Sequence, residues 1–484
     1  MLKNNIFKRK KFKTFVGVLI VLVVWAGFIG WYKFFRVVPQ PPFANYEMQF
    51  KYGSLGAESD RGIPYWIWLV LPRIFPEYLP GPGGYKSLGM AWEPGEEIPA
   101  GFAKKTVGFP RVTNNCAACH TAVYRTKINE LPTFVAAGPA HTSNVQAYFR
   151  FLFKAANDLR FNADEIMREI NIVTKLSWLD RLSYRYLIIP LTKKALLKQE
   201  KQLAWMNRQD MPDWGPGRDD PMNLTKYFMT NLPWDNSTGA ADFPSIWNLA
   251  IREPTRDGQL LNWDGATPSP RSVIIDSALG LGAPPGEPFL KQMAELEAWL
   301  KALPPPKYPY PINVGLAKAG RSVFDQYCAA CHAVNGARVN TVVDIAEIGA
   351  DRERLDTWTQ AAADAANAKV KSMGIARKNM IKTNGYVSPP LDGIWLRAPY
   401  LHNGSVPNLR DLLEPEDKRT PVFYRGYDVY DPVNVGFIAR GSEAERVGFR
   451  FDIRQRGNGN RGHRYGTNLP ANKKKALLEY MKTL

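Results

Sequence analysis

The chain has 484 residues, of which 45% are hydrophobic, so it is long enough for two or more domains with proper cores. Its formal net charge is +18 at pH 7. We find no nucleic-acid-binding motif, so nucleic acid is not an expected partner. The charge favours anionic lipid headgroups or an acidic soluble partner, with a generic basic surface as the alternative.

The first predicted element is an apolar segment near the N-terminus, residues 15–31, which carries no charged residue. It is long enough to cross a bilayer as one helix. The basic, acid-free stretch before it predicts a cytoplasmic N-terminus. We therefore expect a single-pass protein of the inner membrane whose body, from about residue 38, lies in the periplasm. A cleaved signal peptide is the alternative, but no A-x-A-like site follows the segment.

Further along the chain, residues 114–122 read NNCAACHTA, and residues 326–334 repeat the core as QYCAACHAV. All four cysteines of the chain lie in these two stretches. Structural disulfides would not explain the histidine after each pair. A zinc site built from two such pairs usually has them ~15–20 residues apart, and a thioredoxin-like pair needs only one copy in a βαβ context.

The spacing C-x-x-C-H is that of covalent haem c attachment. The two thiols form thioethers with the haem, and the histidine binds the iron as an axial ligand. The sequence therefore predicts two haem c groups. The attachment residues are Cys116, Cys119 and His120 for haem one, and Cys328, Cys331 and His332 for haem two.

The expected fold is mainly α, with a transmembrane helix followed by two helical domains of the cytochrome c type. An amphipathic helical pattern near residue 300 runs into PPPKYPYP, which reads as a linker, and a similar helix ends the chain. Residues 39–100 and 207–285 read as loops. The predicted divisions are a cytoplasmic tip and anchor at 1–37, a first domain at 38–305 with a helical insertion at 154–206, and a second domain at 306–484.

The second axial ligand decides what each haem can do, because an open position binds oxygen or peroxide whereas a histidine or methionine leaves an electron carrier. His463, in a glycine-rich loop before the last helix, is the candidate for haem two, with a surface histidine as the alternative. His141 follows the first motif and is the candidate for haem one. His402, between Pro399 and Gly404 in a tight turn, is a further cofactor-binding candidate.

Without a sixth ligand on haem one, the aromatic residues of the loops at 207–285 can form a dry pocket for oxygen, peroxide or an apolar substrate. Ordinary core packing is the alternative for each of them. The candidate catalytic residues are Tyr227, Phe243 and Trp247.

Residues 389–413, PPLDGIWLRAPYLHNGSVPNLRDLL, resemble the second-domain signature of the bacterial dihaem cytochrome c peroxidase superfamily. RTPVFYRGYDVYDPVNVGF and GNGNRGHRYGTNLP are more similar to its branch of dihaem rubber oxygenases and related cytochromes. The resemblance implies two neighbouring haems, a reactive haem one and an electron-relaying haem two with His463 as its second ligand. It also implies calcium at the APY turn, which the side chain of Arg397 disfavours.

Three functions remain open. The first is a membrane-anchored oxidoreductase of peroxidase-like type, in which electrons pass from haem two to haem one and reduce peroxide or activate oxygen. The second is a non-catalytic electron-transfer cytochrome with both irons six-coordinate. The third is an oxygen-dependent dioxygenase acting on an apolar alkene. The expected electron partner is an acidic redox protein or a quinol-linked enzyme.

Overall fold

The structure is a computed structural model that describes residues 2–484, with side-chain surroundings described from residue 12 onward. It is 45% helix and 11% strand, which confirms a mainly helical chain. Helix α1 (Leu2–Phe34) includes an apolar stretch, Phe12–Phe34, with a mean hydropathy of 2.3. This stretch is compatible with a single-pass anchor or a signal sequence.

The part of the chain that precedes residue 306 is built from short helices around small antiparallel sheets. The helices are α2 (Tyr46–Tyr52), α3 (Glu58–Arg61), α4 (Tyr65–Ile74), α5 (Val145–Asn157), α6 (Ala163–Val173), α7 (Trp178–Ser183), α8 (Ile189–Gln202), α9 (Pro221–Leu224), α10 (Pro270–Gly280) and α11 (Glu287–Ala302). The strands are β1 (Val37–Val38), β2 (Ile63–Pro64), β3 (Phe102–Val107), β4 (Phe109–Asn114), β5 (Thr121–Tyr124), β6 (Thr133–Ala136), β7 (Arg218–Asp219) and β8 (Ala241–Asp242).

Three antiparallel sheets place the first CAACH motif. The largest has the order β1-β3-β4-β2, and β4 ends directly before the motif. Strands β5 and β6 pair immediately after it, and β7 pairs with β8. The motif is therefore held between two sheets rather than on a free loop.

Residues 39–100 are more ordered than their sequence predicts, because they include α2, α3 and α4. Along α4, the side chains of Ile67, Trp68, Val70 and Leu71 are all fully buried. A helix that is apolar on every side lacks the period of an amphipathic helix, which is why the loop prediction was wrong there. Residues 154–206 are helical, as their pattern predicts, with a single π-helical turn at Tyr184–Ile188 between α7 and α8.

The rest of the chain, from residue 306, is also built from short helices and small antiparallel sheets. Its helices are α12 (Val314–Tyr327), α13 (Ala329–His332), α14 (Ile345–Ile348), α15 (Glu353–Thr357), α16 (Gln360–Ser372), α17 (Leu409–Leu412), α18 (Ser442–Val447) and α19 (Ala471–Met481). Its strands are β9 (Val342–Asp344), β10 (Gly385–Val387), β11 (Val422–Arg425), β12 (Tyr430–Asp431), β13 (Gly436–Phe437) and β14 (Phe449–Asp452). These pair as β9–β10, β11–β14 and β12–β13, all antiparallel.

One apolar core joins the two parts. Trp247 from the first part and Trp395 from the second are fully buried in the same cluster, which also packs against Cys116 and Cys328. The linker tyrosine Tyr308 lies edge-on to Trp395 at 5.6 Å between ring centroids. Both motifs therefore adjoin a shared apolar interior to which the two parts contribute, and the first part has a second core cluster of its own.

Helices α12 and α19 cross at a glycine. A Cβ atom on Gly320 would stand 1.9 Å from the carbonyl oxygen of Ala476, so any larger residue would push the helices apart. The contact continues one turn later, where the rings of Phe324 and Tyr480 are 5.2 Å apart. This crossing fixes α12, whose C-terminal end carries the second motif.

We therefore predict that Gly320→Ala destabilises the protein by about 1–3 kcal/mol, the usual range for overpacking a tight contact. The matched control is Gly315→Ala on the exposed start of α12, where a Cβ would meet its nearest neighbour at 3.5 Å. That control should be neutral or stabilise by about 0.4–1 kcal/mol. Denaturant unfolding of the full chain measures both, and equal effects would contradict the close crossing.

Candidate haem sites

The first motif is a tight turn pressed against the start of β3. The side chain of Asn115 accepts a hydrogen bond from the backbone N–H of Ala117 at 3.0 Å and caps the 3-10 turn Cys116–Ala118. Gly101 has φ +93°, and a Cβ there would stand 2.2 Å from Cα of Ala118. Glycine is needed at this position both for its conformation and for the close approach.

The second motif sits at the end of α12 and continues into α13. The backbone N–H of His332 donates to the carbonyl of Cys328 at 3.0 Å, which places the histidine one turn after the first cysteine. All four cysteines are free thiols in the structure, so neither pair forms a disulfide. The two pairs also do not converge: among residues 12–484 no group of three or more His, Cys, Asp or Glu could hold a metal ion.

Both motif histidines use one ring nitrogen in the same way. Nδ1–H of His120 donates to the carbonyl of Pro244 at 3.0 Å, and Nδ1–H of His332 donates to the carbonyl of Pro389 at 2.7 Å. A carbonyl can only accept, so the proton is on Nδ1 and Nε2 keeps its lone pair. A metal-binding histidine is typically oriented by a backbone carbonyl in this manner.

The protonation of these imidazoles suits metal binding. Burial lowers the pKa of His120 to about 4, and burial also lowers the pKa of His332. Both rings are therefore neutral near pH 7, which is the form that binds a metal. The thiols next to them and the two oriented rings fit a covalently attached haem at each motif.

His463 faces His332 across the second site. Their ring centroids are 6.1 Å apart with 43° between the planes. A metal–imidazole bond is about 2.0–2.1 Å long, so two imidazoles on opposite sides of one metal ion have centroids about 6 Å apart. Neither ring nitrogen of His463 has a hydrogen-bond partner among the described residues, and Nδ1 is buried. The pair fits a haem held between two histidines.

His141 lies beside the first motif but in a different setting. Its neighbour Ala140 donates to the carbonyl of Cys119 at 3.1 Å. The His141 ring stacks on Phe437 with centroids 3.7 Å apart, and its buried Nε2 has no partner among the described residues. No ring contact like that of His332 and His463 links His141 to His120 in the described part of the chain. The two sites therefore differ on the side opposite the motif histidine.

The three aromatic candidates lie in different places. Phe243 is buried directly before Pro244, on the His120 side of the first site. Trp247 is fully buried between the two parts. Its ring lies close to Gly138 of the first part and Gly393 of the second, where a Cβ atom would stand 3.0 Å and 2.7 Å from the ring. Its indole N–H donates to the carbonyl of Asp392 at 3.2 Å. Their catalytic roles stay predictions.

Tyr227 is not brought to either motif. Its hydroxyl donates to Asp235 at 2.7 Å, its ring packs against Trp205, and it belongs to the separate core cluster around α4 and α5. It borders a surface cleft with Phe228 and Trp234. These are packing contacts, and the catalytic role of Tyr227 stays a prediction.

His402 is part of a buried network with Tyr386. The rings stack with centroids 4.0 Å apart, and Nε2 lies 3.0 Å from the Tyr386 hydroxyl. That hydroxyl donates to the carbonyl of Asp351 at 2.6 Å, so it accepts from Nε2–H of His402. Burial lowers the pKa of His402 well below its usual value, so the ring is neutral. Because Nε2 is engaged, this nitrogen is not free for a metal.

The same network connects the two prolines that hold the motif histidines. The backbone N–H of Asp242, two residues before Pro244, donates to the carbonyl of His402 at 2.8 Å. Tyr386 stands three residues before Pro389 on β10. A path of covalent bonds and four hydrogen bonds therefore runs from one motif histidine to the other.

Tyr386→Phe should destabilise the protein by about 1–3 kcal/mol, because it leaves Nε2–H of His402 and the carbonyl of Asp351 buried without partners. Tyr424→Phe is the control, since the Tyr424 hydroxyl contacts Glu445 at an exposed site, 2.8 Å away. Denaturant unfolding of both variants measures the difference. A Tyr386 variant as stable as the control would contradict the hydrogen-bonded network.

Sequence reasoning missed the residues around the motif histidines. Pro244 and Pro389 act through their carbonyls, and nothing distinguishes them among 38 prolines before the fold is known. Asp219, on β7, was also missed. Burial and the neighbouring Asp220 raise its pKa to about 7. The negative charge of Asp219 contributes in turn to the raised pKa of the Cys119 thiol. The position of Asp219 beside the motif depends on the pairing of β7 with β8, which no sequence pattern predicts.

Arg397 occupies the turn where the resemblance implies calcium. Its guanidinium donates to the carbonyl of Pro390 at 2.8 Å and pairs with Asp392. A cation thus already contacts this carbonyl and this carboxylate. Calcium binding stays an untested expectation.

Comparison with known proteins finds a family match in the second part of the chain. A family model described as RoxA-like, cytochrome c-like matches residues 385–424. The uncharacterized protein y4iM of Sinorhizobium fredii (strain NBRC 101917 / NGR234) is 30% identical over 222 residues, which cover 41% of this chain and 49% of that protein. The uncharacterized protein y4iJ of the same strain is 40% identical over 108 residues, 20% of this chain and 18% of that protein.

The chain spans half or less of the length of these two relatives. The segment matched by the family model contains Pro389, whose carbonyl orients the second motif histidine, and the hydrogen-bonded pair Tyr386 and His402. Together with the two oriented motif histidines, the match supports a cytochrome c family relationship and implies covalently bound haem c.

Proposed function

We propose that the protein is a membrane-anchored, periplasmic dihaem cytochrome c and a peroxidase-like oxidoreductase, in which electrons pass from the second haem site to a reactive first site. The observation that carries the proposal is the difference between the sites. His332 faces His463 at 6.1 Å, whereas His120 has no such histidine partner among the described residues. Bound haem supplies one-electron chemistry and, where an axial position is open, a place for a small oxidant.

The connection between the sites supports electron exchange. The carbonyls of Pro244 and Pro389 orient the two motif histidines, and His402 and Tyr386 link the segments that carry these prolines. Trp247 fills the space between the two parts and contacts residues of both.

The first site also has the residues for handling a small oxidant. Phe243 and Trp247 supply apolar walls that exclude water. Burial raises the pKa of Asp219 to about 7, so its carboxyl can take up or release a proton near Cys119 at neutral pH. The substrate we propose is peroxide or oxygen.

The N-terminal helix and the charge of the chain set the proposed location and partners. Helix α1 supports a single-pass anchor in the inner membrane, with the basic N-terminus in the cytoplasm and the body in the periplasm. After subtraction of the six cations before residue 14, the net charge of +18 leaves about +12 on the rest of the chain, which favours an acidic redox protein or an acidic quinol-linked enzyme as electron donor.

A second candidate function is a pure electron carrier. It is favoured by the buried Nε2 of His141, which has no partner among the described residues and lies in the loop bound to Cys119. If this nitrogen fills the sixth position of haem one, neither iron is open. The matched residues 385–424 lie outside the first site, so the family match does not separate an oxygenase from a peroxidase-like enzyme.

The experiment that tests the proposal is EPR and optical spectroscopy of the full haem-loaded chain in detergent, oxidised, with and without cyanide or peroxide. We expect one low-spin signal that ignores cyanide and one high-spin signal that shifts with it. Two low-spin signals that ignore cyanide, one of which becomes high-spin in His141→Ala, would contradict the catalytic proposal and establish the carrier.

A further inference from the structure

The helical insertion presents an apolar face to solvent. Large apolar side chains line one side of α7, the π-helical turn and α8, and we call them the exposed stripe. Its members, with their exposed fractions, are Trp178 (69%), Leu182 (47%), Tyr186 (66%), Leu187 (49%) and Leu191 (61%). A helix on the surface of a soluble domain normally has polar residues on this side, and contiguous exposed apolar residues mark an interaction site.

The stripe is one face of a helix whose other face is already used. Trp178, Leu182, Tyr186 and Leu191 recur at intervals of four or five residues along the π-bulged helix, and Leu187 adjoins Tyr186, so the stripe follows one side of the helix. Tyr184, Ile188 and Ile189, between them in sequence, are buried against the body. The helix therefore has one apolar side that packs against the core and a second apolar side that faces solvent.

The insertion is fastened to the end of α1. Nζ of Lys33, in the last turn of α1, lies 2.7 Å from Oδ1 of Asp180 in α7. Phe34 packs edge-on against Phe109 at 6.4 Å, and Phe109 packs against Tyr184 at 6.0 Å. The stripe begins at Trp178, two residues before this ion pair, so it starts where the apolar helix leaves the membrane.

The connection between α1 and the body is short and tightly packed. Strand β1 begins three residues after α1 ends and pairs with β3. A Cβ on Gly108 would stand 2.4 Å from the backbone of Phe34, so this connection is in tight contact with the sheet. A surface next to the end of α1 is therefore held at the level of the lipid headgroups rather than away from them.

The charges around the stripe favour anionic lipid. Asp180 is the only acid between residues 172 and 198, and it is paired with Lys33. Exposed cations flank the stripe, namely Lys175, Arg181, Lys194 and Lys198. Apolar and aromatic residues bordered by lysine and arginine are the composition of helices that lie in a membrane interface.

We infer that the exposed stripe lies in the headgroup region of the same bilayer that α1 crosses, as a second membrane contact. The inference rests on the proposed membrane anchoring. The second contact fixes the orientation of the body relative to the membrane. The haem sites then face a partner in one direction, whereas a body attached through α1 alone would rotate about it.

The test uses the full haem-loaded chain in proteoliposomes that contain anionic phospholipid and a photoactivatable phospholipid. After illumination, proteolysis and mass spectrometry locate the labelled peptides. We expect label on α1 and on peptides that carry the exposed stripe, and only background label at Val314 and Val433, which are equally exposed apolar residues elsewhere.

A double variant, Leu182→Asp with Leu187→Asp, should lose the label on the stripe while α1 keeps it. The matched control, Ile128→Asp with Leu131→Asp at another exposed apolar site, should leave the stripe labelled. Label on α1 with background label on the stripe would overturn the inference and point to a protein partner for this face. Label on neither would overturn the membrane anchor itself.

Discussion

In His463→Ala, the low-spin signal of the second haem is expected to disappear and a high-spin signal to replace it. His463 is the only histidine ring within 6.1 Å of His332 in the described part of the chain, at a spacing that fits two ligands of one metal ion. Its removal would leave the iron of a haem bound at this site without a second strong ligand. EPR and optical spectra of the oxidised full chain measure the change, which should be complete rather than partial.

The control for this variant is in the same loop. Tyr465 lies 5.3 Å from the His463 ring, and its hydroxyl contacts Glu347 at 2.9 Å. Tyr465→Phe should leave the low-spin signal in place. Added imidazole should restore that signal in His463→Ala but change nothing in the control. A low-spin second haem that persists in His463→Ala would show that another residue binds the iron.

Arg425→Met is expected to destabilise the protein by about 3–5 kcal/mol, the range for breaking a buried ion pair from one side. The fully buried Arg425 guanidinium pairs with Asp242 across the two parts of the chain. It also donates to the carbonyls of Gly404 at 2.8 Å and Pro216 at 3.1 Å. The substitution leaves a buried carboxylate and two buried carbonyls without these partners.

Denaturant unfolding of the full chain measures this loss. The control is Arg446→Met, which removes an exposed pair with Glu443 and should cause no measurable change. The double variant Asp242→Leu with Arg425→Met should recover part of the stability, because replacing both partners avoids the unpaired charge. A single Arg425 variant as stable as the control would contradict the role of this pair in joining the two parts.

The sequence predicted the chemistry of the sites better than their surroundings. The C-x-x-C-H spacing is a local covalent constraint, so it identifies the attachment residues without knowledge of the fold. The pairing of His463 with His332 was predicted from the glycine-rich loop before the last helix and supported by the family resemblance, and the structure gives it a distance. The apolar segment of α1 was visible because its length and composition alone decide whether it can span a bilayer.

Other features depend on contacts between distant segments. The carbonyls of Pro244 and Pro389, and the link through His402 and Tyr386, appear only once the strands are paired. Tyr227 belongs in sequence to the loops at 207–285, yet it packs in the core cluster around α4. Proximity in sequence is a weak guide where irregular loops fold back on one another.

The most direct test of the account is the number of covalent haems, measured by intact mass and by haem absorbance of the denatured full chain. Two haems are expected in the natural chain, and one in each of the variants Cys116→Ala with Cys119→Ala and Cys328→Ala with Cys331→Ala. A natural chain that carries one haem or none, in cells with active haem-attachment machinery, would contradict it.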